Sequence, residues 1–208
     1  MLIDAALLHF CAARTREVIE HYKSACVIPG ANQFPRSADD LGWIIAERLG
    51  HPISVKRLRI PPERTVVRGF YLRYAKRFLI FLGAGLPDDQ LAYTKAKEFF
   101  QVYLDQEALR TTDILELIHN LVLRASGAST DLIPGHATNS ETIAEVAAME
   151  FLFPYYRRVL HAVSISNSDG FADLAKRYNV PQYLIERYLA PEMMSALVDV
   201  FPSDEWPA

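Results

Sequence analysis

Apolar residues recur at helical spacing through residues 2–24, at Ile3, Ala6, Leu7, Phe10, Val18 and Tyr22, and predict an amphipathic opening helix. The stretch "VIPGANQFPRS" breaks that period with Pro and Gly and reads as a loop. A second helix follows. Ser37 suits its N-cap, Asp39 and Asp40 its first turn, Leu41, Ile44, Ile45, Ala46 and Leu49 its buried side, and Gly50 its stop. The period then shortens to two. "ISVKRLRI", "TVVRGFYLRYA" and "KRFLIFLGAG", with "YAKR" as a turn, predict a small three-stranded antiparallel sheet over residues 53–82. Its outer face, basic in pattern, reads as an ordinary solvated one.

From Pro87 onward the pattern is helical. "PDDQLAYTKAKEFFQVYLDQEAL" opens with proline and two acids, as a helix start should. "TTDILELIHNLVLRASG" predicts a further helix closed by Gly127, and "ASTDLIPGHATN" a loop. "SETIAEVAAMEFLFP" predicts a helix with Ser140 as N-cap and Pro154 as its break, before "YYRRVLHAVS". Three short helices complete the chain in "DGFADLAKRYNVPQYLIERYLAPEMMSALVDVF". With no repeat and no linker, the expected fold is one α+β unit, mostly helical, with a small three-stranded sheet. It divides into an N-terminal helix and loop (1–36) packed on a main domain (37–165), with a C-terminal helical segment (166–208).

Composition narrows the function. Half of the 208 residues are hydrophobic, enough for a sizeable core, and the net charge of −3 gives no global nucleic-acid footprint. Cys11 and Cys26 form no CxxC pattern and read as buried free thiols in a reducing compartment. The N-terminus carries Asp4 and His9 and no basic leader, so it reads as an amphipathic helix and not as a signal peptide. No apolar run approaches the ~20 residues of a membrane span, and the expected location is the cytoplasm. Ser126 in "ASGAS" lies outside the G-x-S-x-G pattern, and "FLGAGLPDD" lacks both the P-loop and the dinucleotide fingerprint.

The candidate chemistry lies in "AYTKAKEFFQVYLD". Glu98 follows Lys97 and precedes Gln101 by three. Histidines at those two positions would make H-E-x-x-H, in which two imidazoles four apart share one helix face and one zinc ion. Downstream stands "ETIAEVAAMEFLFP", and further on "ADLAKRYNVPQYLIERYL". Together with the order helix, helix, sheet, helix, these segments resemble the ImmA/IrrE family of metallopeptidases and regulators over roughly residues 37–190. Ala96, Glu98 and Leu104 match its R-F-x-x-A-H-E-x-x-H-x-x-L-H segment. Ala144, Ala148, Leu152 and Pro154 match its E-x-E-A-N-x-F-A-x-x-L-L-M-P segment, from which Glu145 and Ala147 depart. The resemblance implies a zincin-like architecture, with Glu98 at the general base and Glu141 at the third zinc ligand. Lys97, Gln101 and Asp105 stand in place of three histidines, and residues 106–139 form an insertion whose role the family pattern leaves open.

A lysine at a ligand position puts a cation where a dication should sit, and Gln101 is a poor zinc donor beside it. Lys97 is expected to pair with Glu141 across the groove. The resemblance therefore implies a catalytically inactive protein without zinc or another cofactor, from a bacterium or phage. It would act as a regulatory module on a protein partner such as a helix-turn-helix repressor of a stress response or mobile element. The expected groove is walled by the strand Phe78, Leu79, Ile80, Phe81 and Leu82, whose edge could accept a peptide as an added strand, and by the helix from Lys97 to Asp105. Two alternatives stand beside it. One is a metal-dependent peptidase with a non-standard site drawn from Glu98, Asp105, His119 and Glu141. The other is a DNA-binding regulator using a C-terminal helix-turn-helix outline, with Lys176, Arg177, Gln182, Tyr183 and Arg187 as contacts. The sequence carries no signal for oligomeric state.

Overall fold

The computed structural model describes residues 5–25, 34–59, 68–104, 136–163, 165 and 168–201. Two helices, α1 (Ala5–Ala25) and α2 (Ala38–Leu49), precede strands β1 (Ile53–Leu58), β2 (Gly69–Tyr74) and β3 (Arg77–Gly83). Helices α3 (Asp88–Leu104), α4 (His136–Leu152), α5 (Tyr155–Ala162), α6 (Ser168–Tyr178), α7 (Gln182–Leu189) and α8 (Pro191–Leu197) follow. The α+β class is as expected. The predicted helix at 111–127, Cys26, Asp105 and His119 lie outside the described residues, as does the side chain of His136.

Local chemistry sets the boundaries. Ser37 caps α2 by accepting the Asp40 amide at 3.2 Å, and Gly50 ends it in the left-handed conformation at φ 65°, where a side chain would be strained. Ala75 and Lys76 form the β2–β3 turn. Ser140 is not an N-cap: α4 begins four residues earlier, at His136, and Ser140 is interior to it.

The sheet differs from expectation in one respect. Its order is β1-β3-β2, with β3 antiparallel to β2 but parallel to β1, so it is mixed. Period-two patterning reports which face a residue occupies, not which strands are neighbours. β3 turns back from β2 and inserts between it and β1.

Phe78, Ile80 and Leu82 of β3 are buried on the face that packs against the helices, with α3 against β2 and β3 and α2 against β1. Gly42 brings α2 onto α3: a Cβ there would lie 2.3 Å from the Phe99 ring. The innermost element is α4, which packs on α1 and α3. From Ile143 to Leu152 all its residues are buried except Glu145, which is partly exposed. A helix buried on nearly every side belongs at the centre of a core, and its one fully buried charge, Glu150, then needs a partner.

That centre contains one fully buried ion pair. Arg158 of α5 donates from Nη2 to Glu150 of α4 at 2.7 Å, and neither side chain is exposed. The Glu150 carboxylate also accepts the Tyr155 amide at 3.0 Å, capping α5 with a negative charge at its N-terminus. At the C-terminal end of α4, Arg36 donates to the Phe151 carbonyl at 2.8 Å and Arg158 Nε to that of Phe153 at 2.7 Å. Burial pushes Glu150 up to about 7, against the pull of Arg158 and the Tyr155 amide.

Two outcomes follow for urea unfolding. Arg158→Met leaves the Glu150 charge buried without its cation and should cost about 3–5 kcal/mol. Because the folded state holds the Glu150 proton more tightly than the unfolded chain, this group's contribution to stability declines as pH rises from about 4.5 to about 7. Glu150→Gln should flatten that part of the stability–pH curve relative to the unmutated protein.

Candidate functional site

The α3 helix directs Lys97 and Gln101, one turn apart on one face, toward α4, the helix it packs on. Lys97 Nζ donates to Glu141 Oε2 at 2.9 Å and lies 3.3 Å from Glu98 Oε1, and Gln101 Nε2 donates to Glu141 Oε1 at 3.3 Å. The pairing expected between Lys97 and Glu141 is present. Glu141 is the hub, with one oxygen toward Lys97 and the other toward Gln101. Glu98 is fully buried beside them.

Gly69 of β2 lies against Thr94 and Glu98 beside this cluster. A Cβ on it would meet Thr94 Cγ2 at 2.8 Å and Glu98 Cγ at 3.1 Å, so β2 can lie against α3 only with glycine there. The isolated glycine in the strand "RGFYL" is the sequence signal for this close approach.

Electrostatics keep the lysine charged. Burial works to lower its pKa, but the Glu98 and Glu141 carboxylates outweigh burial and hold it above the ordinary lysine value. A protonated amine has no lone pair for a metal, and the ammonium and the Gln101 amide between them occupy both Glu141 oxygens that zinc would need. The donor set at Lys97, Gln101 and Glu141 therefore does not fit zinc. Among the described residues no group of three or more His, Cys, Asp or Glu side chains could hold a metal ion. Cys11 hydrogen-bonds the Ile143 carbonyl at 3.2 Å, and burial pushes its thiol up to about 12, far from the thiolate a nucleophile needs.

A second polar cluster on α4 was not anticipated. Glu145 accepts from the Tyr188 hydroxyl at 3.2 Å and pairs with Arg187 at 2.9 Å. The Tyr93 hydroxyl also bonds it, and burial together with the Glu145 charge raises the Tyr93 pKa. Glu145 thus ties α3 and α7 to α4 at the position where the sequence departs from the Asn of the family pattern.

Two sequence-derived surfaces need correction. β3, which carries Phe78, Leu79, Ile80, Phe81 and Leu82, is paired on both sides. It has no free edge for an added strand, because both rows of its backbone hydrogen-bonding groups are used within the sheet. Its side chains also divide, with Phe78, Ile80 and Leu82 buried and Leu79 and Phe81 partly exposed on the other face. The outline of the C-terminal helices is present: α6 ends at Tyr178, Asn179 turns the chain at φ 52°, and Pro181 precedes α7. Two of the outward residues on α7 are nonetheless tied to the body of the protein. Arg187 pairs with Glu145, and the Tyr183 hydroxyl accepts from Arg68. Gln182 donates to Glu186 at 2.8 Å, while Lys176 and Arg177 are exposed on α6.

No protein-family model matches the chain, and no curated protein matches it. No helix among the described residues is long and apolar enough to cross a membrane.

The site generates a stability prediction. Lys97→Met deprives Glu98 and Glu141 of their shared cation and should cost about 3 kcal/mol, the lower end for a buried pair because Glu141 keeps some contact with water. Adding Glu98→Gln to that variant should recover part of the loss in denaturant unfolding. An unchanged midpoint for Lys97→Met would show that the lysine does not balance these carboxylates.

Proposed function

We propose that this protein is a catalytically silent relative of the ImmA/IrrE metallopeptidases that acts by binding a regulatory protein, such as a helix-turn-helix repressor. One observation carries the reading. The three positions that the resemblance assigns to zinc ligands within the described residues, 97, 101 and 141, come together within hydrogen-bonding distance. They are filled by an ammonium, an amide and a carboxylate. The charge formerly supplied by a dication is supplied by Lys97, so Glu141 and the buried Glu98 stay compensated without chemistry. Glu98, at the general-base position, lies 3.3 Å from that ammonium, an ion pair in place of a poised proton acceptor. The ties from Arg187 to Glu145 and from Tyr183 to Arg68 weigh against the α7 surface as a DNA reader.

Restoring the ligands tests the ancestry. The double variant Lys97→His, Gln101→His should take up one equivalent of zinc after dialysis, through two imidazoles four apart and Glu141, whereas the unaltered chain should take up none. Stoichiometric zinc in the unaltered protein, lost in Glu141→Ala, would overturn the proposal. The binding role is tested by co-purification from the native host, followed by reconstitution of the complex from purified chains and a check that the partner is not cleaved.

A further inference from the structure

Between His51 and Pro87 the sequence holds eight Lys or Arg residues and a single acid, Glu63, in a chain whose net charge is −3. Of these cations, Lys56 and Arg77 lie on the sheet face turned away from the helices, whereas register puts Arg57 and Arg73 on the opposite face, across from Leu82 and Phe78. On the sheet face turned away from the helices, register places Lys56, Phe81 and Phe70 in one row, Ser54, Leu79 and Leu72 in the next, and Arg77 and Tyr74 in a third. Phe70 is 36%, Leu72 43% and Tyr74 42% exposed. Phe70 and Phe81 stack on each other at 4.9 Å with rings 22° apart, and the Arg77 guanidinium lies 4.8 Å over the Tyr74 ring. The face is therefore not the basic solvated surface that its sequence pattern suggested. It is an apolar patch with cations at its margins, the composition of an interaction surface.

We infer that this sheet face docks an acidic amphipathic helix of a partner protein, its apolar side on Phe70, Leu72, Leu79 and Phe81 and its carboxylates toward Lys56 and Arg77. Spacing favours a helix. Same-face residues along a strand lie about 6.6–6.8 Å apart, close to the ~6 Å that separates positions i and i+4 of a helix, so successive rows can receive successive turns. Charge complementarity sets the sign of the partner, since the rim carries Lys56 and Arg77 and no acid lies on these strands. A single-stranded nucleic acid is the weaker fit. Phe70 and Phe81 each give one ring face to the other, and Leu72 and Leu79 offer no stacking surface for bases. The inference deepens the protein-binding reading above and rests on it for the class of partner, while the surface stands on the sheet alone.

The test uses the full chain and fluorescence polarisation with three labelled probes. These are a helical peptide with leucines at i, i+4 and i+7 flanked by glutamates, the same peptide with lysines for glutamates, and a short oligothymidylate. The glutamate peptide should bind, more weakly as salt rises, and the lysine peptide should not. Leu72→Glu, and separately Lys56→Glu with Arg77→Glu, should weaken binding by about tenfold or more. All these positions face solvent, and an unchanged melting temperature would confirm that the variants fold. Failure to bind the glutamate peptide would overturn the inference. So would preferential binding of the oligothymidylate lost in the same variants, or self-association of the unliganded protein that Leu72→Glu abolishes. A native partner that binds Leu72→Glu with unaltered affinity would overturn this surface and leave the protein-binding reading standing.

Discussion

Glu150 is fully buried on α4 and Glu141 and Glu145 partly so, and a carboxylate taken out of water without compensation costs several kcal/mol. Each therefore meets a cation from a different element: Lys97 of α3, Arg187 of α7 and Arg158 of α5. Apolar packing alone would hold α4 in the core but would leave its neighbours free to slide and rotate. The charge pairs restrict that freedom, most of all the fully buried pair of Glu150 with Arg158. Glu150 shows the economy of the arrangement, since a single carboxylate neutralises Arg158 and caps α5.

The same constraint explains the character of the candidate site. Glu98 and Glu141 face one another's neighbourhood between α3 and α4, and something positive has to stand between them. In the proposed reading that role passed from a metal to Lys97. The exchange is economical in sequence, because one ammonium answers both carboxylates and Gln101 satisfies the remaining oxygen of Glu141. In that reading Glu98 is ion-paired with Lys97 in place of serving as a base. A protein built this way keeps the shape of a site and offers surfaces, and its sheet presents one with a mixed apolar and cationic make-up.

Much of this was legible beforehand. The Ser37 cap, the Gly50 stop, the Ala75–Lys76 turn and the Pro154 break depend on chemistry within a few residues, which a single sequence displays directly. The pairing of Lys97 with Glu141 was also foreseeable, because helical spacing aims residues 97 and 101 in one direction and the resemblance indicated which later helix they would face. The start of α4 was not, since Ser140 is a good cap wherever it falls and nothing local forbids a helix from running past it.

By itself the sequence determined most of the elements, the Ser37 and Gly50 caps and the two periods, because each is a matter of backbone preference and of side chains a turn or a pleat apart. Only the tertiary structure decided that β3 lies between β1 and β2, that Phe70, Leu72 and Tyr74 face outward, and that Glu145 and Glu150 meet Arg187 and Arg158. Those outcomes depend on which distant surfaces come together. An alternating pattern reads the same whichever strand is its neighbour, and a glutamate in a helix reads the same whether water or an arginine answers its charge.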